Sequence, residues 1–184
     1  MTIKKILLIC LAIASIPVFA KPPIKSFTAS AVPIRFQVGA FSFKRPENWK
    51  WENPSSPMRK AQLTISGKNG ATALVTFFYF GPGQGGSVQA NVNRWMAQFT
   101  AVNGSAVKAT TTTQQTTTTI TFVSTHGIFE SGMPGGLTQS CPNYALRGAI
   151  MASPQGDVYV KMTGPETLVK EATVAFDEMI ITSR

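Results

Sequence analysis

The amino-acid sequence predicts an α+β domain: a mainly antiparallel β-sheet with two helices packed on it. Short β-prone apolar segments recur along the chain, and most are separated by turns of a few residues, which favours local hairpins and therefore antiparallel pairing. Only two segments carry apolar residues at helical spacing, one near the middle of the chain and one at its end. The expected order is strands, helix, strands, helix.

Residues 1–20 have the pattern of a signal peptide. Lys4 and Lys5 precede the apolar stretch Ile6–Val18, and the small residue Ala20 ends a cleavage signal. That apolar stretch is too short to span a bilayer as a stable helix, so we expect no transmembrane span in the mature chain. Cleavage after Ala20 would deliver an exported protein, periplasmic or secreted.

Charge and cysteine content limit the classes of partner and the means of stabilisation. The chain has 17 basic and 8 acidic residues, and losing Lys4 and Lys5 with the leader leaves the mature chain at about +7. A basic surface fits an anionic surface polymer or an envelope protein, but no run of four basic residues predicts specific nucleic-acid binding. Only Cys141 remains after Cys10 is lost, so no internal disulfide is expected and a buried thiol is predicted.

The mature chain is expected to begin with an extended arm, residues 21–34, whose prolines oppose regular structure. A single domain, residues 35–184, follows. A first strand is predicted from four apolar residues, Phe36, Val38, Phe41 and Phe43. Trp49 and Trp51 lie on a short extended piece after the turn at Pro46, where we expect them to cover the core.

Residues 61–66 and 71–80 predict a hairpin, because Gly67-Lys68-Asn69-Gly70 between them has the composition of a tight turn. The second of these strands becomes apolar on both faces toward Phe80. It is therefore expected in the interior of the sheet, with a layer on each side.

The first helix is predicted from Val88, Val92, Trp95 and Phe99, which recur at spacings that place them on one face. Ser87 is the expected N-cap. The residues predicted to face water are Gln89, Asn91, Asn93 and Arg94.

A glycine-rich loop precedes this helix, and Gly81, Gly83 and Gly86 spell G-x-G-x-x-G. A dinucleotide site would need an acidic residue about 20 positions on, but no Asp or Glu occurs between Glu52 and Glu130. A P-loop is excluded as well, because Ser87 and Val88 occupy the positions of its Lys and Ser/Thr. We expect no cofactor, and a weak anion site at the helix N-terminus remains. The candidate binding residues are Gly83, Gly85, Gly86, Ser87 and Arg94.

Threonine dominates residues 107–123. Because threonine is β-branched, the run predicts a hairpin with a wet outer face, turning at Gln114-Gln115.

His126–Pro142 is predicted as a long loop, because it is rich in glycine and proline. It carries the chain's single His and, after export, its single Cys. His126 and Cys141 would form a nucleophilic pair if the loop doubled back. One imidazole and one thiol make no recognised metal-ligand set, so no metal site is predicted.

The last elements are two strands and a helix. Residues 144–152 and 157–163 flank a hairpin turn, and Pro165 and Glu166 suit the first turn of the closing helix. Its acidic residues Glu171, Asp177 and Glu178 are expected to face water. The predicted buried stripe comprises Leu168, Ala172, Ala175, Phe176 and Met179.

This layout resembles the PsbP-like α/β/α sandwich superfamily. The resemblance is carried by Phe41–Phe43 through Pro46 and Trp49, by the hairpin ending at Tyr79-Phe80, and by the strand and helix from Val158 to Met179. The glycine-rich loop with the residues after it is similar to a stretch found in uncharacterised exported bacterial proteins. The resemblance implies docking to partners rather than catalysis, and it carries over no functional residue.

The function predicted from the sequence is that of an exported, soluble, non-catalytic binding or accessory domain of the bacterial envelope, with its ligand open. Two alternatives remain. One is a small hydrolase or thiol enzyme that uses Cys141 and His126, and the other is a basic protein that binds polyanions or a membrane surface.

Overall fold

The computed structural model describes residues 34–54, 56–132 and 139–184. The predicted signal peptide and nearly all of the predicted arm lie outside these residues. Within the described ranges the two helices are α1, Val88–Met96, and α2, Glu166–Ile181. The strands are β1 Arg35–Val38, β2 Phe41–Lys44, β3 Trp49–Glu52, β4 Arg59–Ser66, β5 Thr72–Tyr79, β6 Phe99–Thr100, β7 Thr110–Gln115, β8 Thr119–Ser131, β9 Gln139–Met151 and β10 Val158–Pro165.

The main sheet of the described chain has eight strands in the order β3-β4-β5-β10-β9-β8-β6, and β7 also pairs with β8. All of these pairings are antiparallel. Strand β5 lies between β4 and β10, in the interior of the sheet as predicted. The predicted α+β fold with two helices on an antiparallel sheet is confirmed.

Hydrophobic residues cover both faces of the sheet. The larger core packs one face against α2 and the β1–β2 hairpin, and its fully buried side chains include Phe43, Phe77 and Phe176. A smaller core on the other face joins Val92 and Trp95 of α1 to the strands beneath. The sheet is therefore the middle layer of an α/β/α arrangement. Because α1 is only nine residues long, it leaves part of its face uncovered.

The predicted first strand is wrong in one respect, since it is a hairpin rather than a single strand. The chain reverses at Gly39, which has a φ of 55°, and β1 then pairs with β2. All four predicted core residues of this segment are buried. Trp49 is also buried and Trp51 packs edge-on against Phe36, so the tryptophan pair belongs to the core as expected.

The hairpin from β4 to β5 forms as predicted. Asn69 and Gly70 adopt positive φ angles of 55° and 75° in the turn, which is the conformation that Asn and Gly tolerate best.

The threonine hairpin forms, but its turn lies two residues later than expected. Gln114 and Gln115 complete β7, and the reversal occurs at Thr116–Thr118, where the Thr116 N–H donates to the Thr118 carbonyl over 2.9 Å. All six residues of β7 are exposed. The outer face is wet, as predicted.

The predicted loop His126–Pro142 is wrong, because most of it is β-strand. Residues up to Ser131 continue β8, and β9 begins at Gln139; residues 133–138 lie outside the described part. Gly127 lies at an irregularity within strand β8 and not in a loop. The register between β8 and β9 shifts there, and a Cβ on Gly127 would lie 2.4 Å from the Thr100 carbonyl oxygen.

Helix α2 buries the predicted stripe, except that Ala175 is only half-buried. Asp177 does not face water freely as expected. Its carboxylate accepts two hydrogen bonds from the Arg147 guanidinium, over 2.9 Å and 2.6 Å, and so joins α2 to β9. The side chains are mostly buried, with exposures of 18% for Arg147 and 27% for Asp177.

Candidate functional site

The glycine-rich loop, residues 81–87, connects β5 to α1 and is shaped by backbone conformation. Gly81, Gly83 and Gly86 have φ angles of 95°, 69° and 77°, which residues with a Cβ rarely adopt. Ser87 is the N-cap as predicted, and its hydroxyl oxygen accepts the Ala90 N–H over 3.2 Å. The oxygen that caps the helix is therefore already engaged.

Two side chains fasten this loop to the domain. The Asn91 amide donates to the carbonyls of Gly85 and Ser87, over 2.9 Å and 3.0 Å, and the Tyr159 hydroxyl donates to the Gly86 carbonyl over 3.3 Å. Asn91 is only 2% exposed, so the prediction that it faces water is wrong. A buried amide needs partners, and the loop carbonyls supply them.

Gly85 is required for steric reasons. A Cβ at this position would lie 1.9 Å from the Tyr159 hydroxyl oxygen, far inside van der Waals contact. The loop thus passes directly over the tyrosine, and this close approach accounts for glycine here without any ligand.

A cavity of about 420 Å³ lies beneath the loop, between α1 and the uncovered part of the sheet. Its volume falls within the usual range of small-molecule sites, about 300–1,000 Å³. Of the predicted binding residues, Gly85 and Arg94 line it, whereas Gly83, Gly86 and Ser87 do not. The lining residues are Met58, Phe78, Phe80, Gln84, Gly85, Asn91, Arg94, Trp95, Gln98, Tyr159 and Lys161.

Apolar side chains form much of this wall and remain open to solvent at its rim. Met58 is 59% exposed and Phe80 is 37% exposed, and both line the same cavity. Phe80 stacks beside Phe78 and also contacts Tyr159, with ring centroids 6.3 Å and 5.9 Å apart. The rings make a continuous aromatic surface.

Lys161 is the most perturbed group in the cavity. Burial disfavours its charged form and, with the nearby positive charge of Arg59, lowers its pKa from 10.5 to about 8. Its ammonium donates to Gln98 Oε1 over 2.8 Å and lies 5.7 Å from the centroid of the Phe129 ring. No carboxylate lines the cavity within the described residues.

Arg94 contributes the second positive charge from α1. One of its guanidinium nitrogens donates to Asn91 Oδ1 over 2.8 Å, so the residue that fastens the loop also orients Arg94. The Tyr159 pKa is raised, chiefly by burial and next by the charge of Asp157, while Arg94 opposes the change. Tyr159 is therefore a neutral hydroxyl at neutral pH.

A second cavity of about 420 Å³ adjoins the first and shares Phe78, Gln98 and Lys161 with it. The Lys161 ammonium thus stands at the junction of two hollows on the same face of the sheet. Among the described residues, Thr163 Oγ1 is buried without a hydrogen-bond partner, and Thr163 lines this second cavity.

Sequence reasoning missed Lys161 and Tyr159. The signal was a lysine inside the otherwise apolar run Val158–Met162, since a lysine in an interior strand occupies a costly position. The sequence did not reveal that β10 would lie beside β5 and bring this lysine to the glycine-rich loop.

His126 and Cys141 are not brought together. His126 pairs with Ala145, whereas Cys141 pairs with Phe129. The two therefore lie three residues apart along β8, about 10 Å at 3.3 Å per residue. Cys141 is also half-buried rather than buried, because α1 and α2 leave this end of β9 largely uncovered.

His126 instead lines a cavity of about 480 Å³ between α2 and strands β7 to β9. Two charged groups of its wall, Glu166 and Lys170, form an ion pair. Glu166 accepts from Lys170 over 2.7 Å, and this contact lowers the pKa of Glu166. The described residues contain no group of three His, Cys, Asp or Glu side chains placed to hold a metal ion.

No helix in the described part of the chain combines the length and the apolar character needed to cross a membrane.

Comparison with known proteins identifies the fold. No protein-family model and no curated protein matches the chain. Among solved structures, the solution structure of cyanobacterial PsbP (CyanoP) from Synechocystis sp. PCC 6803 is similar, with a TM-score of 0.51 and 10% sequence identity. The match covers 85% of this chain and 96% of that chain. At this identity the similarity concerns the fold alone, and the chain has a PsbP-like α+β fold.

Proposed function

We propose that this chain is an exported, soluble, non-catalytic binding or accessory domain of the bacterial envelope, and that the cavity beneath the glycine-rich loop takes a small ligand. The observation that carries the proposal is a cavity with an apolar rim left open to water. Exposed apolar surface beside a concave site is typical of a ligand-binding site. A PsbP-like fold is compatible with an accessory role.

The described lining also favours binding over catalysis. It offers a lysine, an arginine and a neutral tyrosine, but no pair of carboxylates and no thiol or hydroxyl beside an imidazole. The separation of His126 from Cys141 removes the geometric basis of the thiol-enzyme alternative. An envelope protein or an anionic surface polymer remains the expected macromolecular partner.

Binding of the neutral dye N-phenyl-1-naphthylamine to the purified protein tests the proposed cavity. We expect saturable binding with energy transfer from tryptophan, because Trp95 lines the cavity. Met58→Lys should weaken binding at least tenfold by placing a charge on the rim. Val174→Lys is the matched control, since Val174 is 77% exposed on α2, outside the lining.

Two results would contradict this part of the proposal: no saturable dye binding by the folded wild type, or equal weakening by both variants. Export is tested separately by sequencing the N-terminus of protein recovered from the periplasm or the medium. Lys21 is the expected first residue, and recovery of uncleaved chain from the cytoplasm alone would contradict export.

A further inference from the structure

We infer that the ligand of the cavity beneath the glycine-rich loop is a single-chain amphiphile with a carboxylate head, bound with its head at Lys161 and its chain along the aromatic wall. This inference rests on the proposed function and names the ligand class. It depends on three features of the cavity: its basic end, its apolar side and its size.

The basic end attracts an anion because Lys161 and Arg94 line the cavity, while no carboxylate lines it within the described residues. Lys161 lines it from β10 and Arg94 from α1, and Arg59 lines the adjoining cavity from β4. Arg59 donates to Gln62 over 2.8 Å, and Gln62 in turn donates to Glu52 over 3.2 Å. Lys161 and Arg94 thus form the basic end of the cavity.

The environment of Lys161 suits an anionic ligand. Its ammonium donates a hydrogen bond to the neutral oxygen of Gln98, and burial lowers its pKa to about 8. A carboxylate placed here would supply the opposite charge and would restore the charged form of the lysine. A single negative charge is sufficient to pair with the Lys161 ammonium.

The apolar side suits a hydrocarbon chain. Phe78, Phe80 and Trp95 line the cavity, and Met58, which also lines it, is exposed. Methionine adapts its shape to irregular apolar ligands. A chain laid on this surface would cover Met58 and Phe80, which are otherwise exposed to water.

The volume suits a ligand with one chain. About 420 Å³ is toward the lower end of small-molecule sites. The loop atoms engaged by the protein are acceptors, namely the carbonyls of Gly85 and Gly86 and the Ser87 hydroxyl oxygen, so the anionic head is assigned to Lys161 instead.

Displacement of N-phenyl-1-naphthylamine by dodecanoate and by dodecanol, both below micelle-forming concentrations, tests the head group. At pH 7 the wild type should prefer dodecanoate by at least tenfold. Lys161→Met should abolish the preference while leaving dye binding intact. Lys60→Met is the matched control, because it removes the same charge from an exposed residue of β4 that does not line the cavity.

The pH dependence provides a measurement on the unmutated protein. The preference for dodecanoate should decline as the pH rises above 8, since Lys161 then loses its proton, while Arg59 and Arg94 stay charged. Tyr159 and Tyr144, near the cavity, have raised pKa values and stay neutral through this range. Asp157 lies close enough to act on Tyr159, and Cys141 acts on Tyr144.

The possible failures are distinguishable. Equal displacement by dodecanoate and dodecanol would overturn the carboxylate inference and leave the proposed binding cavity standing. A preference that survives in Lys161→Met, or that persists unchanged above pH 9, would overturn the assignment of the head to Lys161. Absence of dye binding in the folded wild type would contradict both proposals.

Discussion

Single glycines allow the close approaches on which this domain depends. Gly148 on β9 lies beneath the indole of Trp95, and a Cβ there would stand 2.4 Å from Cζ3 of that ring. Gly85 passes over Tyr159 in the same way. Both contacts fix the position of α1 and its loop on the sheet, so the walls of the cavity are set by residues that have no side chain.

Gly148→Ala should lower the free energy of unfolding by about 1–3 kcal/mol, because the added methyl group overpacks the contact with Trp95. Urea denaturation measures the loss. In a Trp95→Leu background the same substitution should cost clearly less, since the obstructing ring is gone. An equal cost in both backgrounds would show that another contact opposes the methyl group.

The residue-scale predictions failed where a polar side chain had a partner inside the protein. Asn91 has the spacing of an exposed helical residue, but it turns inward to the loop carbonyls. Asp177 likewise meets Arg147, 30 residues away in sequence. Periodicity assigns a polar residue to the solvent by default, and it carries no information about such partners.

At the scale of elements, α2 is held by more than its apolar stripe. The Arg147 guanidinium binds Asp177 with two hydrogen bonds, donates to Ser124 Oγ over 2.8 Å, and lies 4.6 Å from the centroid of the Phe122 ring. This one side chain therefore connects α2 to two adjacent strands. The geometry is the paired arrangement in which arginine binds carboxylates most strongly.

Asp177→Ala should destabilise the protein by about 2 kcal/mol, because it leaves the mostly buried Arg147 without its counter-charge. Lys170→Ala is the matched control. Lys170 is 73% exposed in its ion pair with Glu166, so its removal should cost less than about 0.5 kcal/mol. Urea denaturation of the two variants gives the comparison, and equal losses would contradict a special role for Arg147.

Element boundaries were predictable where turn chemistry was local. The Asn69-Gly70 turn and the Ser87 cap could be found from the sequence, because a few adjacent residues decide each. The β1–β2 reversal was missed although the parity of the apolar residues breaks between Val38 and Phe41. The glycine at position 127 indicated a loop, whereas the structure uses it for a bulge in a long strand.

At the scale of the whole molecule, two layers of unequal size explain why one face of the sheet holds the candidate site. Helix α2 and the β1–β2 hairpin cover one face, while the nine-residue α1 covers only part of the other. The layered architecture was predictable from the order of elements. The cavity was not, because it depends on which strands become neighbours.

The free energy of unfolding should depend on pH because Lys161 is buried in this site. Its folded pKa of about 8 lies below the ordinary 10.5, so the unfolded chain binds the proton more tightly and stability rises with pH between these values. From pH 7 to pH 10 the wild type should gain about 2 kcal/mol relative to Lys161→Met. Chemical denaturation of both proteins across this pH range measures the difference. If their free energies of unfolding changed in parallel with pH, the lowered pKa of Lys161 would be contradicted.

The order of strands also bears on how the chain folds. In the described sheet, β5 pairs with β10, where Tyr79 lies opposite Val158, whereas β3–β4, β4–β5, β7–β8 and β9–β10 join near neighbours in sequence. Pairing β5 with β10 closes a long loop of chain, and the loss of chain entropy is larger than for a local hairpin. The β5–β10 seam should therefore be a late event in folding. Since Phe78 and Lys161 stand on opposite sides of it, an occupied cavity would also clamp the two halves of the sheet together.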